Sequence, residues 1–190
     1  MEDKILFIMP SINRDSIIRA VDSVRSQTDD RWHLCIIYDA VENPIVEEEE
    51  QITCINLDEK LGGLGVKSNG AGNVRNVAID KFGKDYKWIG FIDDDDELDK
   101  DYVRLLFSEY NAYDLVVFRM KRKHDILPPP NSDRLVSCKV GISFCYKTPS
   151  DVRFIPHHME DFKFLEELQK EKDIVYAVTK EIGYYVRGAK

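Results

Sequence analysis

The segment from Trp88 to Asp99 constrains this chain more than any other, because an apolar run of strand length ends there in four consecutive aspartates, Asp93 to Asp96. Adjacent ionised carboxylates repel each other and resist removal from water, so a half-buried cluster of this kind needs a cation. Hard divalent ions such as Mg²⁺ and Mn²⁺ prefer oxygen ligands. Open α/β sheets bind ligands just beyond the carboxyl ends of their strands, where this cluster is expected to lie. The segment therefore predicts a metal site that holds a phosphorylated ligand.

The overall composition restricts the classes of partner. The chain has 190 residues, a length that suits one domain, and 43% of them are hydrophobic, which is enough for a sizeable core. Its 27 Lys and Arg residues are outnumbered by 35 Asp and Glu residues, so the net charge is −8. This balance argues against a nucleic-acid-binding protein, which carries a basic surface, and against attachment to anionic membranes. An acidic protein that binds a diphosphate needs local compensation by a metal or by arginine.

The sequence contains no candidate for a membrane-crossing or secretory segment. Its first apolar stretch, residues 5 to 10, is too short for either, and no later stretch approaches the roughly 18 apolar residues of a membrane span. We therefore expect a cytoplasmic protein without a transmembrane segment, which could still be one part of a larger polypeptide.

The four cysteines are expected to be buried free thiols. They are Cys35, Cys54, Cys138 and Cys145, and they form no Cys-x-x-Cys pair. Free cysteine is among the most buried residue types, so neither a disulfide scaffold nor a zinc site is predicted.

The first 120 residues alternate between strand and helix patterns. Strands are predicted at residues 4–9, 32–38, 51–55, 87–92 and 114–120. Helices are predicted after Asn13 or Asp15, with Ile17, Ile18, Val21 and Val24 on the inner face, around Val74 to Ile79, and from Asp99 or Asp101 to Tyr110. Such alternation predicts an α/β domain with a mainly parallel central sheet.

The character of the chain changes after residue 120. Pro128 to Pro130 break the chain into a loop. Strands are predicted within 136–146 and at 174–178 and 182–186, with a helix around Phe162 to Leu168 between them. We expect a single domain over residues 1–190, in which 121–190 form a smaller mixed β layer beside the half formed by 1–120.

Common phosphate-binding motifs do not fit. The chain has no GxxxxGK[ST] loop, and Gly70 to Arg75 contain two of the three glycines of a dinucleotide fingerprint, with Arg75 at the third position. The aspartate run lacks the glycine at position six of an EF-hand loop.

Five separated segments follow one another in the order of a known pattern. They are Ile8 to Arg14, Ile36 to Asp39, Gly70 to Asn76, Phe91 to Asp96 and His158 to Phe162. In this order, they resemble five motifs of the family 2 glycosyltransferases. The first two motifs are the Pro-Thr/Ser-x-Asn-Arg turn and the Asp at the end of the second strand. The other three are the Gly-x-x-x-Ala-Arg-Asn helix start, the Asp-x-Asp strand end and the late Glu-Asp pair. The resemblance implies the GT-A fold, a Rossmann-like three-layer sandwich. It also implies transfer of a sugar from a nucleotide diphosphate sugar, with UDP-sugar as first choice before dTDP and GDP, to a hydroxyl acceptor such as a glycan.

The resemblance assigns the aspartate run to a Mn²⁺ or Mg²⁺ ion. It implies that Asp95 ligates the metal, with Asp93 beside it, and that Asp93 and Asp94 also face the donor. His158, or His157 beside it, is a candidate third ligand or diphosphate contact. A bound metal would stabilise the nucleotide diphosphate as leaving group. The alternative is that Asp96 or Asp99 only caps the following helix.

The resemblance also implies residues for the nucleotide. Pro10 and Ser11 are expected near the base and ribose, and Asp39 is expected to accept the N3–H of uracil or thymine. Arg75, at a helix start that favours anions, pairs with the diphosphate or holds the aspartate cluster. The sequence departs from the family after Asp39, where Ala40 and Val41 replace the usual Asp-Gly.

The late acidic pair is the expected catalytic group. In an inverting reaction Asp161 would take the proton of the acceptor hydroxyl, and Glu160 would orient Asp161 or contact the acceptor. In a retaining enzyme Asp161 lacks this role, and in either case the pair could simply favour a helix N-terminus. The glycine-rich residues 61–72 are expected either to close over the donor or to be a plain connector.

Two alternatives to a glycosyltransferase remain open. A nucleotidyltransferase also uses acidic residues and a metal, but such enzymes usually have a glycine-rich basic loop where this chain has Pro10 to Asn13. The other alternative is a non-catalytic nucleotide-sugar-binding domain of a larger protein.

Overall fold

The computed structural model of the protein describes residues 1–63, 71–171 and 173–188. Its helices are α1 (Ile17–Arg25), α2 (Ala71–Phe82), α3 (Tyr102–Glu109) and α4 (Glu160–Leu168). Its strands are β1 (Glu2–Ser11), β2 (Trp32–Tyr38), β3 (Ile52–Asn56), β4 (Tyr86–Phe91), β5 (Glu97–Leu98), β6 (Leu115–Arg122), β7 (Asp125–Leu127), β8 (Phe144–Lys147) and β9 (Tyr176–Val186).

The first half of the chain builds a parallel sheet, as the alternating pattern predicts. Strands β3, β2, β1 and β4 lie side by side in this order, and each pair is parallel. The run Ile5 to Met9 of β1 is fully buried, because helices cover both faces of a parallel sheet and leave no side for water. The carboxyl ends of β1, β2 and β4 therefore open at the same edge.

The second half extends this sheet instead of forming a separate layer. Strand β8 pairs antiparallel with β4 and with β6, while β9 lies parallel to β6 and carries β5 at its far end. On the side away from β1, β4 has backbone N–H and C=O groups without partners, and β8 forms hydrogen bonds with them. The smaller mixed β part expected for residues 121–190 is thus a continuation of the central sheet, and the treatment of residues 1–190 as one domain stays a prediction.

Two strand predictions differ from the structure. Within 136–146 the strand begins only at Phe144, and the strands predicted at 174–178 and 182–186 are one strand, β9. The Thr179 side chain lies between the two predicted pieces, and its Oγ1 accepts the backbone N–H of Arg119 at 3.2 Å. That bond spans the register shift between Val117 and Arg119 and keeps the strand continuous.

Helix α1 faces the core with a slightly different set of residues than predicted. Ile17, Ala20, Val21 and Val24 are buried, whereas Ile18 is 43% exposed. The spacing i, i+3, i+4, i+7 defines one helical face, and Ile18 lies off it. Asp101 precedes α3 as predicted.

An aromatic cluster fixes α4 against the end of β4. The Phe91 ring meets Phe144, Phe154 and Phe164 edge-on at centroid distances of 5.2 to 5.9 Å, and Phe154 stacks on Phe164 at 4.2 Å. Edge-on and stacked geometries are favourable beyond their buried area. The N-terminus of α4 is thereby held beside the aspartate run.

The cysteine prediction was wrong at one position. Cys35 and Cys145 are buried and Cys54 is half-buried, but Cys138 is exposed. Cys138 lies in an irregular segment with φ of 62°, outside the strand at whose edge it was expected. No helix in the described part of the chain is both long and apolar enough to cross a membrane.

Candidate active site

An open cavity of about 390 Å³ lies at the carboxyl ends of the parallel strands. Its wall is formed by the ends of β1, β2 and β4, by the start of α2 and by the residues that lead into α4. The side chains on this wall include six carboxylates but two guanidinium groups. This excess of negative charge disfavours a diphosphate unless a cation accompanies it.

The structure brings together every residue that the sequence placed in the site. Pro10, Ser11, Asp39, Arg75, Asp93, Asp94, Asp95, His158, Glu160 and Asp161 all line this cavity. Their chemical roles stay predictions. The wall also includes His157, the other histidine named as a candidate ligand or diphosphate contact, and Arg14, to which the sequence assigned no role although it ends one of the five segments.

Asp93, Asp95 and Asp96 form the group that best fits a metal. One carboxylate oxygen of each lies within 4.8 Å of the others. Three hard oxygen donors suit Mn²⁺ or Mg²⁺. Asp96 was not among the predicted ligands, whereas His158, which was, is not part of this group as far as the structure describes the chain. The rings of His157 and His158 stack at 4.3 Å in the wall of the same cavity.

Asp96 is anchored to the end of the last strand. Its Oδ1 accepts the backbone N–H of Arg187 at 2.8 Å and that of Gly188 at 3.4 Å. Burial, with the charge of Asp93, raises the pKa of Asp96 to about 6. Hydrogen bonds therefore join the aspartate run directly to the residues that follow β9.

Asp94 lines the cavity but is almost fully buried. It is 3% exposed, and its carboxylate accepts the Oγ–H of Ser11 at 2.8 Å and the backbone N–H of Ile12 at 3.3 Å. Its other oxygen accepts a bond from Arg14 at 2.8 Å. Burial raises the pKa of Asp94, and the bonds from Ser11 and Arg14 oppose that rise. Asp94 thus ties the turn after β1 to the end of β4, and its expected contact with the donor stays a prediction.

Arg75 is the centre of the carboxylate cluster. Its side chain is 3% exposed, and it reaches Asp93 at 2.5 Å, Glu160 at 3.0 Å and Asp161 at 3.8 Å. Burial alone would lower the pKa of Arg75, but the surrounding carboxylates raise it above its ordinary value. In this structure Arg75 binds the acidic residues, and its contact with a diphosphate stays a prediction.

Glu160 links the starts of two helices. Its Oε1 accepts the backbone N–H of Gly72 at 3.1 Å as well as the bond from Arg75, and its buried Oε2 has no partner among the described residues. A Cβ at residue 72 would lie 2.6 Å from Phe154 Cβ and 2.8 Å from Glu160 Oε2. Glycine is required there because the carboxylate and the ring approach the backbone so closely.

Asp161 faces the cavity from the first turn of α4. Its side chain is 32% exposed. Burial raises its pKa to about 7, the charges of Asp93 and Glu160 act in the same direction, and Arg75 opposes them. A carboxyl group with a pKa near 7 is suited to proton transfer at neutral pH.

Asp39 holds the start of the glycine-rich segment. It is 5% exposed, and its two oxygens accept the backbone N–H groups of Leu61 at 2.7 Å and Gly62 at 3.0 Å. Each carboxylate oxygen has a second lone pair, so a base contact stays a prediction. Residues 64–70, most of the segment expected to close over the donor, lie outside the described residues.

Comparison with known proteins gives this arrangement a family context. The model of glycosyl transferase family 2 matches residues 6–158. No curated protein matches the chain. Among solved structures, residues 1–349 of TarS from S. aureus, in complex with UDP-GlcNAc, align with a TM-score of 0.74 at 17% identity, over 98% of this chain and 59% of that one.

Two further structures share the fold. The mannosyltransferase PcManGT from Pyrobaculum calidifontis, in complex with GDP-Man and Mn²⁺, aligns with a TM-score of 0.65 at 11% identity, over 98% of this chain and 57% of that one. Rv0371C from Mycobacterium tuberculosis H37Rv, in complex with manganese, aligns at 0.54 and 11% identity, over 98% and 92%. These likenesses confirm the expected GT-A architecture. The chain spans about three-fifths of the length of TarS 1–349 and of PcManGT.

Proposed function

Because the chain belongs to glycosyl transferase family 2, we propose that it is a metal-dependent glycosyltransferase. It transfers a sugar from a nucleotide diphosphate sugar, with UDP-sugar as first choice, to a hydroxyl acceptor such as a glycan, with inversion at the anomeric carbon. The observation that carries the proposal is the meeting of Asp93, Glu160 and Asp161 at Arg75, beside Asp95, in one open cavity. TarS with UDP-GlcNAc and PcManGT with GDP-Man and Mn²⁺ are similar structures that support a nucleotide-sugar donor.

The carboxylate excess of the cavity supports a metal. Asp95 and Asp93 would hold a Mn²⁺ or Mg²⁺ ion, with Asp96 next to them. When bound, the ion would stabilise the charge that the nucleotide diphosphate gains as it leaves. Arg75, in the wall of the cavity, keeps Asp93 in position for this role.

Asp161 is the group best suited to activate the acceptor. Its carboxylate takes the hydroxyl proton while the acceptor oxygen forms a bond to the anomeric carbon and the bond from that carbon to the diphosphate oxygen breaks. Glu160 contributes by holding Arg75 and the start of α2, so that the distance between Asp161 and the donor site is set by buried bonds. An inverting reaction needs one such base on the acceptor side.

The alternatives have less support. A nucleotidyltransferase has less support because the turn after β1 is not a glycine-rich basic loop. Two side chains of this turn, Ser11 and Arg14, bind Asp94. A non-catalytic nucleotide-sugar-binding domain has less support because both acidic pairs, Asp93 with Asp95 and Glu160 with Asp161, are present in the cavity. The cytoplasmic location and the possible membership of a larger polypeptide stay predictions.

Donor binding tests the proposal most directly. We would measure thermal unfolding with UDP-, GDP- and dTDP-sugars, each with and without Mn²⁺, for the wild type, Asp95→Asn and the surface variant Arg25→Gln. We expect stabilisation that requires both a nucleotide sugar and Mn²⁺, is lost in Asp95→Asn and is kept in Arg25→Gln. No metal-dependent stabilisation by any donor would contradict the metal-dependent enzyme, and NMR of the transferred sugar would test inversion.

A further inference from the structure

Arg14 lies against the aspartate run, in contact with two of its carboxylates. Its Nη1 donates to Asp94 Oδ1 at 2.8 Å and lies 3.3 Å from Asp95 Oδ2. Asp95 is the carboxylate assigned to the metal, and 22% of its side chain is exposed to the cavity. In the free protein, the charge of Asp95 is thus partly compensated by a guanidinium group.

The two guanidinium groups of the cavity differ in their freedom to move. Arg75 is 3% exposed and would leave three carboxylates uncompensated if it moved. Arg14 is 40% exposed. Asp94 would still accept the bonds from Ser11 and Ile12 if Arg14 left it. The Arg14 side chain can therefore exchange partners at low cost.

The backbone that carries Arg14 is fixed although its side chain is not. The preceding residue, Asn13, has φ of 66°, and its side chain donates to the carbonyl of Asn43 at 3.1 Å and accepts the N–H of Ile45 at 3.0 Å. These bonds tie the turn after β1 to the loop after β2. A movement of Arg14 would be a rotation of the side chain alone.

A divalent ion and a guanidinium group compete for the negative charge at Asp95 Oδ2, because the two cations repel each other at such distances. A diphosphate that arrives with the ion offers the guanidinium group new oxygen partners, which it binds in a planar, two-pronged manner. The same residue is thus expected to oppose binding of the bare ion and to favour binding of the ion together with the diphosphate.

We propose that Arg14 holds the place of the metal at Asp95 in the free protein and moves to the diphosphate when the metal and the donor bind together. This inference rests on the metal-dependent transfer proposed above. It makes the bare protein a weak metal binder and couples metal affinity to the presence of the nucleotide.

The test compares Mn²⁺ binding and nucleotide binding in the same variants. Electron paramagnetic resonance of free Mn²⁺ gives the affinity for the ion alone, and calorimetry with UDP at saturating Mn²⁺ gives the affinity for the diphosphate. We expect Arg14→Gln to bind Mn²⁺ alone about 3- to 10-fold more tightly, as the loss of one partly exposed charge contact implies. It should bind UDP about 10-fold more weakly, because a charge-assisted bond is lost.

Two controls separate charge from structure. Arg14→Lys keeps the positive charge and should bind Mn²⁺ with nearly the wild-type affinity. Arg25→Gln removes an arginine that pairs with Asp22 on the surface and should change neither affinity.

The outcomes distinguish this inference from the proposal on which it rests. If Mn²⁺ binds the wild type but binds Arg14→Gln no more tightly, the place-holding role of Arg14 is wrong while metal dependence stands. Unchanged UDP affinity in Arg14→Gln would also overturn it, because the Arg14 side chain would then make no bond to the diphosphate. If Mn²⁺ binds neither the wild type nor any variant, with or without UDP, the metal dependence itself is wrong and this inference with it.

Discussion

The guanidinium group of Arg75 binds the carboxylate of Glu160, 85 residues later in the chain, with 3.0 Å between Nη1 and Oε1. Arg75 lies near the start of α2 and Glu160 at the start of α4, so this bond joins the N-termini of two helices behind the aspartate run. Since the helix N-termini favour negative charge and Arg75 supplies positive charge, the acidic residues of the site can be concentrated in one place.

Removal of Arg75 should strongly destabilise the protein. Arg75→Ala leaves Asp93, Glu160 and Asp161 without their shared partner, and loss of one member of a buried ion pair costs about 3–5 kcal/mol. Urea unfolding followed by circular dichroism measures this change. Arg25→Ala, which removes an exposed arginine, should cost less than about 1 kcal/mol. Equal effects of the two substitutions would contradict the central role of Arg75.

Gly72→Ala should destabilise the protein although alanine is the better helix former. The new Cβ would meet Phe154 and Glu160 at less than 3 Å, and overpacking of this kind costs about 1–3 kcal/mol. Lys81→Ala, on the exposed part of the same helix, should change the free energy of unfolding by less than about 0.5 kcal/mol. If Gly72→Ala proved as stable as the wild type, the close approach of Glu160 to α2 would not exist in solution.

The transfer rate should fall as the pH falls through about 7. Burial, with Asp93 and Glu160, raises the pKa of Asp161 to about 7. A general base acts in its ionised form, so kcat/KM should rise with pH and level off above that value. Asp161→Asn should lose transfer but keep UDP affinity in the presence of Mn²⁺. Full transfer by that variant would show that Asp161 is not the base.

Ionisation of the Asp161 carboxyl group should lower the free energy of unfolding as the pH rises. Its pKa is raised from an ordinary value of 3.8, so the folded protein holds the proton more tightly than the unfolded chain does. The stability that this group contributes is fully present below 3.8 and is lost as the pH rises through about 7. Urea unfolding of the wild type and of Asp161→Asn between pH 4 and 8 should show a smaller loss in the variant. Identical pH profiles would contradict the raised pKa.

The four thiols should react in the order of their exposure. Cys138 is exposed and should be alkylated first, and half-buried Cys54 should follow. Burial raises the pKa of Cys35 to about 12 and also raises that of Cys145, so both should react only after unfolding. Mass spectrometry of peptides after a short iodoacetamide pulse checks the order, with Cys138→Ser as control. Early alkylation of Cys145 would contradict its burial.

Local sequence patterns predicted the main parallel strands and the residues of the site. A strand such as β2 or β4 is specified by its own apolar run, and the turn after β1 and the aspartates after β4 mark where those strands end. Because ligands bind at the carboxyl ends of parallel strands, Asp93 could be placed at a ligand site before any contact was known, and the family resemblance implied that Ser11 and Asp39 lie at the same site. The same local signals predicted the family and the GT-A fold.

The tertiary structure decided what each charged side chain does in that cavity. Four adjacent aspartates look alike in sequence, but Asp94 faces Ser11, 83 residues away, and Asp96 faces Arg187, 91 residues away. The C-terminal strands likewise joined the central sheet because β4 had a free edge, which no local pattern of theirs reveals. Burial and pairing depend on contacts between distant segments, whereas periodicity and strand ends depend on neighbours in the chain.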